Sequence, residues 1–192
     1  MVGLPDSAVK ESHQRILSAL QVTGYKMPTS NIVINMAPAD IRKEGSSYDL
    51  PLAIGMLAAG ETISCQKLSR YIMMGELSLD GTIQPIKGAL PIAIKAREEG
   101  FDGLIVPSQN AREAAVVNNL SVYGVNNIQE VIEFINGKGV AGMHGHGNHR
   151  LDGRKINIDA AIIVCHICRI QFLIITFVGI RRLERPTPTS RT

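Results

Sequence analysis

The chain has 192 residues, 45% of them apolar and 19% charged, which is enough to bury a globular core and excludes a collagen-like or low-complexity polypeptide. Aromatic residues make up 4% with no Trp, so the stacking platforms of single-strand nucleic-acid binders are not advertised. The net charge of +3 is uneven: residues 1–138 carry 12 Lys/Arg against 14 Asp/Glu and residues 139–192 carry 8 against 3, so the basic character belongs to the C-terminal part.

In chain order, MVGLP (1–5) reads as the end of a strand whose beginning is missing. Pro5-Asp6-Ser7 opens a helix that Asp6 or Ser7 can cap, with Val9, Ile16 and Leu20 on one face and Gly24 as its stop. Asn31 to Met36 alternates with β-branched residues and predicts a strand. A polar loop over 37–48 leads into a nearly all-apolar helix over Asp49 to Gly60, with Pro51 in its first turn. Tyr71 to Leu79 reads as one strand, Asp80-Gly81 as a hairpin turn, and Thr82 to Ile86 as the returning strand. Helix over Ala89 to Glu99, strand over Gly103 to Val106, helix from a Ser108 cap to about Asn118, strand over Leu120 to Val125 and helix from an Asn127 cap to Ile135 then alternate, as an α/β domain requires. The predicted core comprises Ile32, Ile34, Leu52, Ile54, Leu57, Leu77, Ile92, Ile94, Leu104, Val106, Val131 and Ile132.

Beyond Gly137 the texture changes. Residues 138–159 are rich in Gly and His and read as linker. Ala160 to Ile180 is apolar and long enough to span a bilayer, but His166, Arg169 and Gln171 lie near its middle, where a charge is costly. A buried strand pair or a segment outside the globular unit is the expectation, and a membrane partner is not. RRLERPTPTSRT is basic, rich in Pro and Thr, and reads as disordered. His144, His146 and His149 with Cys165, His166 and Cys168 are the residues able to offer zinc ligands. One CxxC without a second pair at standard spacing does not specify a site, so no metal is expected. Cys65 brings the cysteines to three, and with no basic-then-apolar leader this suits a reducing, cytoplasmic setting.

Four stretches carry a family resemblance: VGLPDSAVKES (2–12), INMAPADIRKEGSSYDLPLAIGMLAA (34–59), GELSLDGTIQPIKGALPIAIKAREEGFDGLIVP (75–107) and SVYGVNNIQEVIEFING (121–137). In order and spacing they resemble the N-terminal domain of magnesium-chelatase-like AAA ATPases of the YifB/ComM type, over most of residues 2–137. That resemblance implies an α/β (α+β) fold, a mixed sheet flanked by helices. It is the Lon-protease-domain-like fold, shared with a ribosomal protein and more distantly with DNA-repair ATPases of the RadA type. It also implies that 1–137 is the family domain with its first strand truncated, and that 160–192 is not part of it.

In Lon proteases a loop reading roughly K-D-G-P-S-A-G carries the nucleophilic serine. Lys43-Glu44-Gly45-Ser46-Ser47-Tyr48-Asp49 is similar to it and puts Ser47 at that position. The protease lysine follows P-I-G-G-L; here Pro85-Ile86-Lys87-Gly88-Ala89 is followed by Leu90, which cannot take a proton from serine. No catalytic residue is therefore expected. Ser46 and Ser47 are read as caps of the helix at Asp49, and Arg42-Lys43-Glu44 as a solvated, mutually paired loop. The functional reading of Arg42, Lys43, Ser46 and Ser47 is an anion or partner contact at a helix N-terminus.

The phosphate loop G-x-x-x-x-G-K-[ST] occurs nowhere in the chain. ATP and magnesium belong, by resemblance, to an ATPase module found in full-length relatives. The function implied is a non-catalytic domain assisting subunit assembly or partner contact in an ATP-driven, DNA-processing ring, with homo-oligomerisation through that module. A gene fragment, a split gene and a frameshifted tail would all give such a chain. Two alternatives stay open: a Ser47-dependent Lon-like peptidase with Lys87 as an unusual base, and a nucleic-acid binder using the basic tail.

Overall fold

A computed structural model describes residues 5–27, 32–37, 43–64, 66, 68–137, 162–167 and 171–179. The elements in order are α1 (Ser7–Val22), β1 (Ile32–Ala37), α2 (Asp49–Ala59), a 3-10 turn (Leu68–Arg70), β2 (Tyr71–Met73), β3 (Glu76–Leu77), β4 (Ile83–Gln84), α3 (Ala89–Glu98), β5 (Gly103–Pro107), α4 (Ser108–Ala114), β6 (Ser121–Val125), α5 (Ile128–Ile135), β7 (Ile162–Ile167) and β8 (Gln171–Gly179).

Local chemistry sets most of the boundaries. Asp6, in extended conformation, accepts a hydrogen bond from the Val9 amide at 2.8 Å and so starts α1. Asn127 Oδ1 accepts from the Glu130 amide at 3.0 Å, while the Glu130 carboxylate accepts from the Asn126 amide at 2.9 Å, a reciprocal cap that opens α5. Gly81 takes φ +88° at the turn between β3 and β4, where an L side chain would be strained. The hairpin is then fastened to the β6–α5 junction by Ile83 N to Asn126 O at 2.8 Å and Ile128 N to Gly81 O at 3.0 Å.

The core is a parallel sheet in the order β2-β5-β6, with α3 and α4 in the crossovers around β5. All five residues of β5 are buried, as a central parallel strand covered on both faces should be. A second, antiparallel sheet has the order β1-β8-β7, with Ile32 facing Gly179 and Ala37 facing Ile174. The fold is thus mixed α/β with helices flanking a parallel sheet. Helix α2 is buried from Asp49 to Ala58 and packs against α1, β3 and β8.

Four expectations are corrected. Residues 71–79 do not form one strand: β2 ends at Met73, whose successor Met74 donates its amide to Ile105 O at 3.1 Å, and the chain turns before β3. The helix at Ser108 ends at Ala114, and its N-cap is Pro107, with no side-chain cap bond. Ile94 is 38% exposed, because the buried face of α3 is built from Ala89, Ile92, Ala93 and Ala96. Ile32 is only half-buried, unlike the other ten core residues named from sequence. The apolar run after residue 160 forms the strands β7 and β8, and among the described residues no helix is long and apolar enough to cross a membrane.

Tyr71, Tyr123 and Phe134 close one end of the parallel sheet. Their ring centroids lie 5.8 Å (Tyr71–Tyr123), 5.2 Å (Tyr71–Phe134) and 4.8 Å (Tyr123–Phe134) apart, within the range of favourable edge and tilted contacts. Gly103 makes this cluster possible. A Cβ there would meet Ser121 O at 2.8 Å, Tyr123 Cε2 at 2.9 Å and Tyr71 Cδ1 at 3.0 Å, two of them on neighbouring strands and one backbone. Gly103→Ala is expected to cost about 2 kcal/mol in urea unfolding, within the range for overpacking a filled core.

Burial, and then the neighbouring Tyr123, push the Tyr71 phenol up to about 12. A folded-state value above the unfolded one gives stability that is complete below about pH 10, the ordinary tyrosine value, and lost as pH rises towards 12. Ultraviolet titration should therefore show one tyrosinate forming late, together with the alkaline unfolding transition, and Tyr71→Phe should remove that late step.

Candidate functional site: the loop at Lys43–Asp49

The loop between β1 and α2 is held at both ends by carboxylates. At its start, Asp6 of the α1 cap donates its amide to Lys43 O at 3.0 Å, and its second carboxylate oxygen accepts the Gly45 amide at 3.0 Å. A parallel bridge between Pro5 and Lys43 lies beside these bonds. At its end, Asp49 has no exposed surface. Its Oδ2 accepts from Arg15 Nε at 2.6 Å and its Oδ1 from Arg15 Nη2 at 2.9 Å, a two-pronged pairing in the fork geometry that guanidinium and carboxylate share. The Leu77 amide donates to Asp49 Oδ2 at 3.2 Å, and Arg15 Nη2 also donates to Ala8 O at 2.8 Å. Burial pushes the Asp49 carboxyl up from its ordinary value against the opposing pull of Arg15, and the hydrogen bond to Asp49 holds Arg15 above its own.

The two serines act differently from the caps expected of them. The N-cap of α2 is Tyr48, with no side-chain cap bond, so the helix start is satisfied by backbone alone, through Asp49 N to Ser46 O at 3.1 Å. The Ser46 hydroxyl donates instead to the Glu76 carboxylate on β3. Ser47 contributes its carbonyl, which accepts the Gly75 amide at 2.9 Å, while Gly75 O accepts the Leu50 amide at 3.0 Å. The loop is thereby stitched to the strand that leads into β3. Lys43 has no solvent exposure, so the solvated-loop reading gives way at that residue, although Glu44 beside it is exposed. Arg42 lies outside the described residues.

The second segment, Ile86 to Leu90, is organised by α4 and not by the serine loop. Asn110 is 7% exposed and pairs its amide group with one residue's backbone on both sides, Ile86 N to Oδ1 and Nδ2 to Ile86 O, each at 2.9 Å. Glu113 Oε1 accepts the Leu90 amide at 3.0 Å, supplying from another helix the acceptor that the first turn of α3 needs. Gly88, at φ +81°, is the N-cap of α3. Lys87 is exposed and Leu90 half-buried. The structure therefore brings Lys43, Ser46 and Ser47 into one loop, and ties Lys87 and Leu90 to a separate joint between α3 and α4.

Cys165 falls within β7, while His144, His146, His149 and Cys168 lie outside the described residues. Among the described residues no group of three His, Cys, Asp or Glu side chains is arranged to hold a metal ion. Sequence reasoning missed Arg15, Asn110 and Glu113. One signal for Arg15 was available: Asp49 opens a helix that is otherwise apolar, and a buried carboxylate needs a partner.

Removing Arg15 leaves that carboxylate uncompensated. Arg15→Ala is expected to cost about 3–5 kcal/mol in urea unfolding, and Arg15→Lys to recover only part, because an ammonium cannot fork onto both oxygens. A loss below about 1 kcal/mol for Arg15→Ala would instead place the pair with solvent-exposed ion pairs.

Residues 1–110 match the family described as subunit ChlI of Mg-chelatase. The chain is 39% identical over 138 residues to competence protein ComM of Haemophilus influenzae, and 41% identical over 138 residues to the uncharacterized protein YifB of Escherichia coli. Each alignment covers 72% of this chain and 27% of the relative, so the chain spans little more than a quarter of their length. Lon protease 2 of Bacillus subtilis is 29% identical over 130 residues, covering 67% of this chain and 23% of that protein. The match to the family over more than half its residues means that the chain belongs to the magnesium-chelatase ChlI-subunit family.

Proposed function

We propose that this chain is a non-catalytic domain of a magnesium-chelatase-like AAA ATPase, serving subunit assembly or partner contact in an ATP-driven ring whose substrate is DNA. ATP and magnesium would be handled by an ATPase module, since the chain itself carries no phosphate-binding loop. On this reading the assembled protein is a homo-oligomer, and the setting is cytoplasmic.

The observation that carries the reading is the fate of the protease-like positions. The residue where Lon proteases have their lysine is Leu90, and its amide is engaged by Glu113 of α4. Asp49 stands where those proteases have a small glycine, and it is clamped by Arg15 in a buried pair two residues from Ser47. A serine hydroxyl needs a nearby base to become a nucleophile. Here the polar groups around it are engaged in holding loop, helix and strand together.

The test is labelling of the full chain with a fluorophosphonate probe, beside the Ser47→Ala variant. The expected outcome is equal, background labelling of both. Labelling that disappears in Ser47→Ala would overturn the proposal and establish a Ser47-dependent hydrolase, with Lys87 and the buried Lys43 as the bases to examine next.

A further inference from the structure

Strand β1 lies inside the family match, which ends at residue 110, yet its strand partner comes from far beyond it. All six residues of β1 are in antiparallel register with β8, from Ile32 opposite Gly179 to Ala37 opposite Ile174. Among the described residues no other strand pairs with β1. A strand edge of this kind presents a row of amides and carbonyls that will pair with whatever extended segment is supplied. The same β8 also packs on α2, whose residues Asp49 to Ala58 are all buried.

The connection does not dictate where β8 sits. Residues 138–161 separate Gly137 from β7, and a flexible chain of that length spans on the order of 27 Å. Tethering of this kind gives an effective concentration in the millimolar range, enough to fill the edge in cis without fixing the strand there covalently. The segment has the composition the edge would select: QFLIITFVG is rich in β-branched and aromatic residues and contains no charge and no proline.

We propose that the edge of β1, above α2, is a strand-acceptor site for an extended, uncharged apolar segment in antiparallel register, and that Gln171–Gly179 of the same chain is its occupant. The site is closed to free strands while β8 is paired, and receptive when β8 is broken. This proposal is independent of the non-catalytic reading, because neither Ser47 nor Leu90 enters it.

The experiment uses the full chain and a fluorescent peptide of the sequence QFLIITFVG flanked by lysines for solubility. Thr176 faces Asn35 on β1 and Ile162 on β7, so Thr176→Pro removes an amide at the centre of both ladders. Fluorescence anisotropy is expected to show no peptide binding to the unmodified chain at micromolar concentration and binding to Thr176→Pro. Hydrogen exchange is expected to show at least a tenfold loss of protection in the β1 amides of the variant, restored by peptide, with Gly103–Pro107 of β5 unchanged. Peptide binding to both chains, or to neither, with β5 still protected, would overturn the proposal.

If Thr176→Pro loses β5 protection as well, the decision passes to Asn35→Cys with Thr176→Cys, the three native cysteines being replaced by serine. Facing residues of an antiparallel pair lie within disulfide reach. A disulfide within one chain supports the assignment. A disulfide only between two chains makes a second copy the occupant and overturns it, as does the absence of any disulfide.

Discussion

Asp49 is a carboxylate with no solvent exposure at the head of a helix whose following nine residues are buried too. Such a group is tolerated only when its hydrogen-bonding capacity is met. Here three elements meet it at once: Arg15 from the middle of α1, Leu77 from β3, and the first turn of α2 that carries it. The guanidinium is fixed in turn by the Ala8 carbonyl, so it cannot swing away and leave the charge behind. One side chain therefore sets the relative placement of α1, α2 and the β3–β4 hairpin. The rest of the site follows, because the loop entering α2 has its end fixed by Asp49 and its beginning fixed by Asp6.

The same economy appears at the start of α3. Asn110 imitates a peptide group and completes both backbone bonds of Ile86, and Glu113 supplies the acceptor for the Leu90 amide. Neither segment makes use of a protonatable side chain at the place where a serine peptidase would need one. In physical terms the two halves of a protease-like site have become two joints. One binds α1 and β3 to α2, and the other binds α4 to α3. Polar groups that might have reacted with a substrate satisfy backbone amides and carbonyls.

What could be read from the sequence was chemistry confined to a few residues. The Asp6 and Asn127 caps, the Asp80-Gly81 turn and the apolar character of α2 each lie within one local stretch, and each is found in the structure. What could not be read was pairing at a distance. Arg15 and Asp49 are 34 residues apart, Asn110 and Ile86 24 apart, and nothing local marks either pair beyond the oddity of a polar residue in an apolar setting. Ser46 and Ser47 were misread as caps for the same reason. A serine before a helix usually caps it, but Glu76 is within reach only in three dimensions and takes the Ser46 hydroxyl. Ile94 has the apolar character of a core residue, but small alanines line the buried face of α3 and leave it outward.

Helix α2 also explains why an apolar stretch far down the chain becomes strand. A helix that is apolar all round cannot present any face to water without cost. Helix α1 and β3 cover part of α2, and β8 covers more. The run from residue 160 to 180 carries polar interruptions near its centre, which are expensive in a bilayer. In the hairpin the connection between β7 and β8, residues 168–170, contains Arg169, and Gln171 begins β8. An antiparallel pair with a polar connection meets both demands: it supplies apolar cover to α2 through β8, and it keeps the charge out of the strands. The requirement imposed by α2 is thus as strong a determinant of the second sheet as the apolar sequence of β7 and β8 themselves.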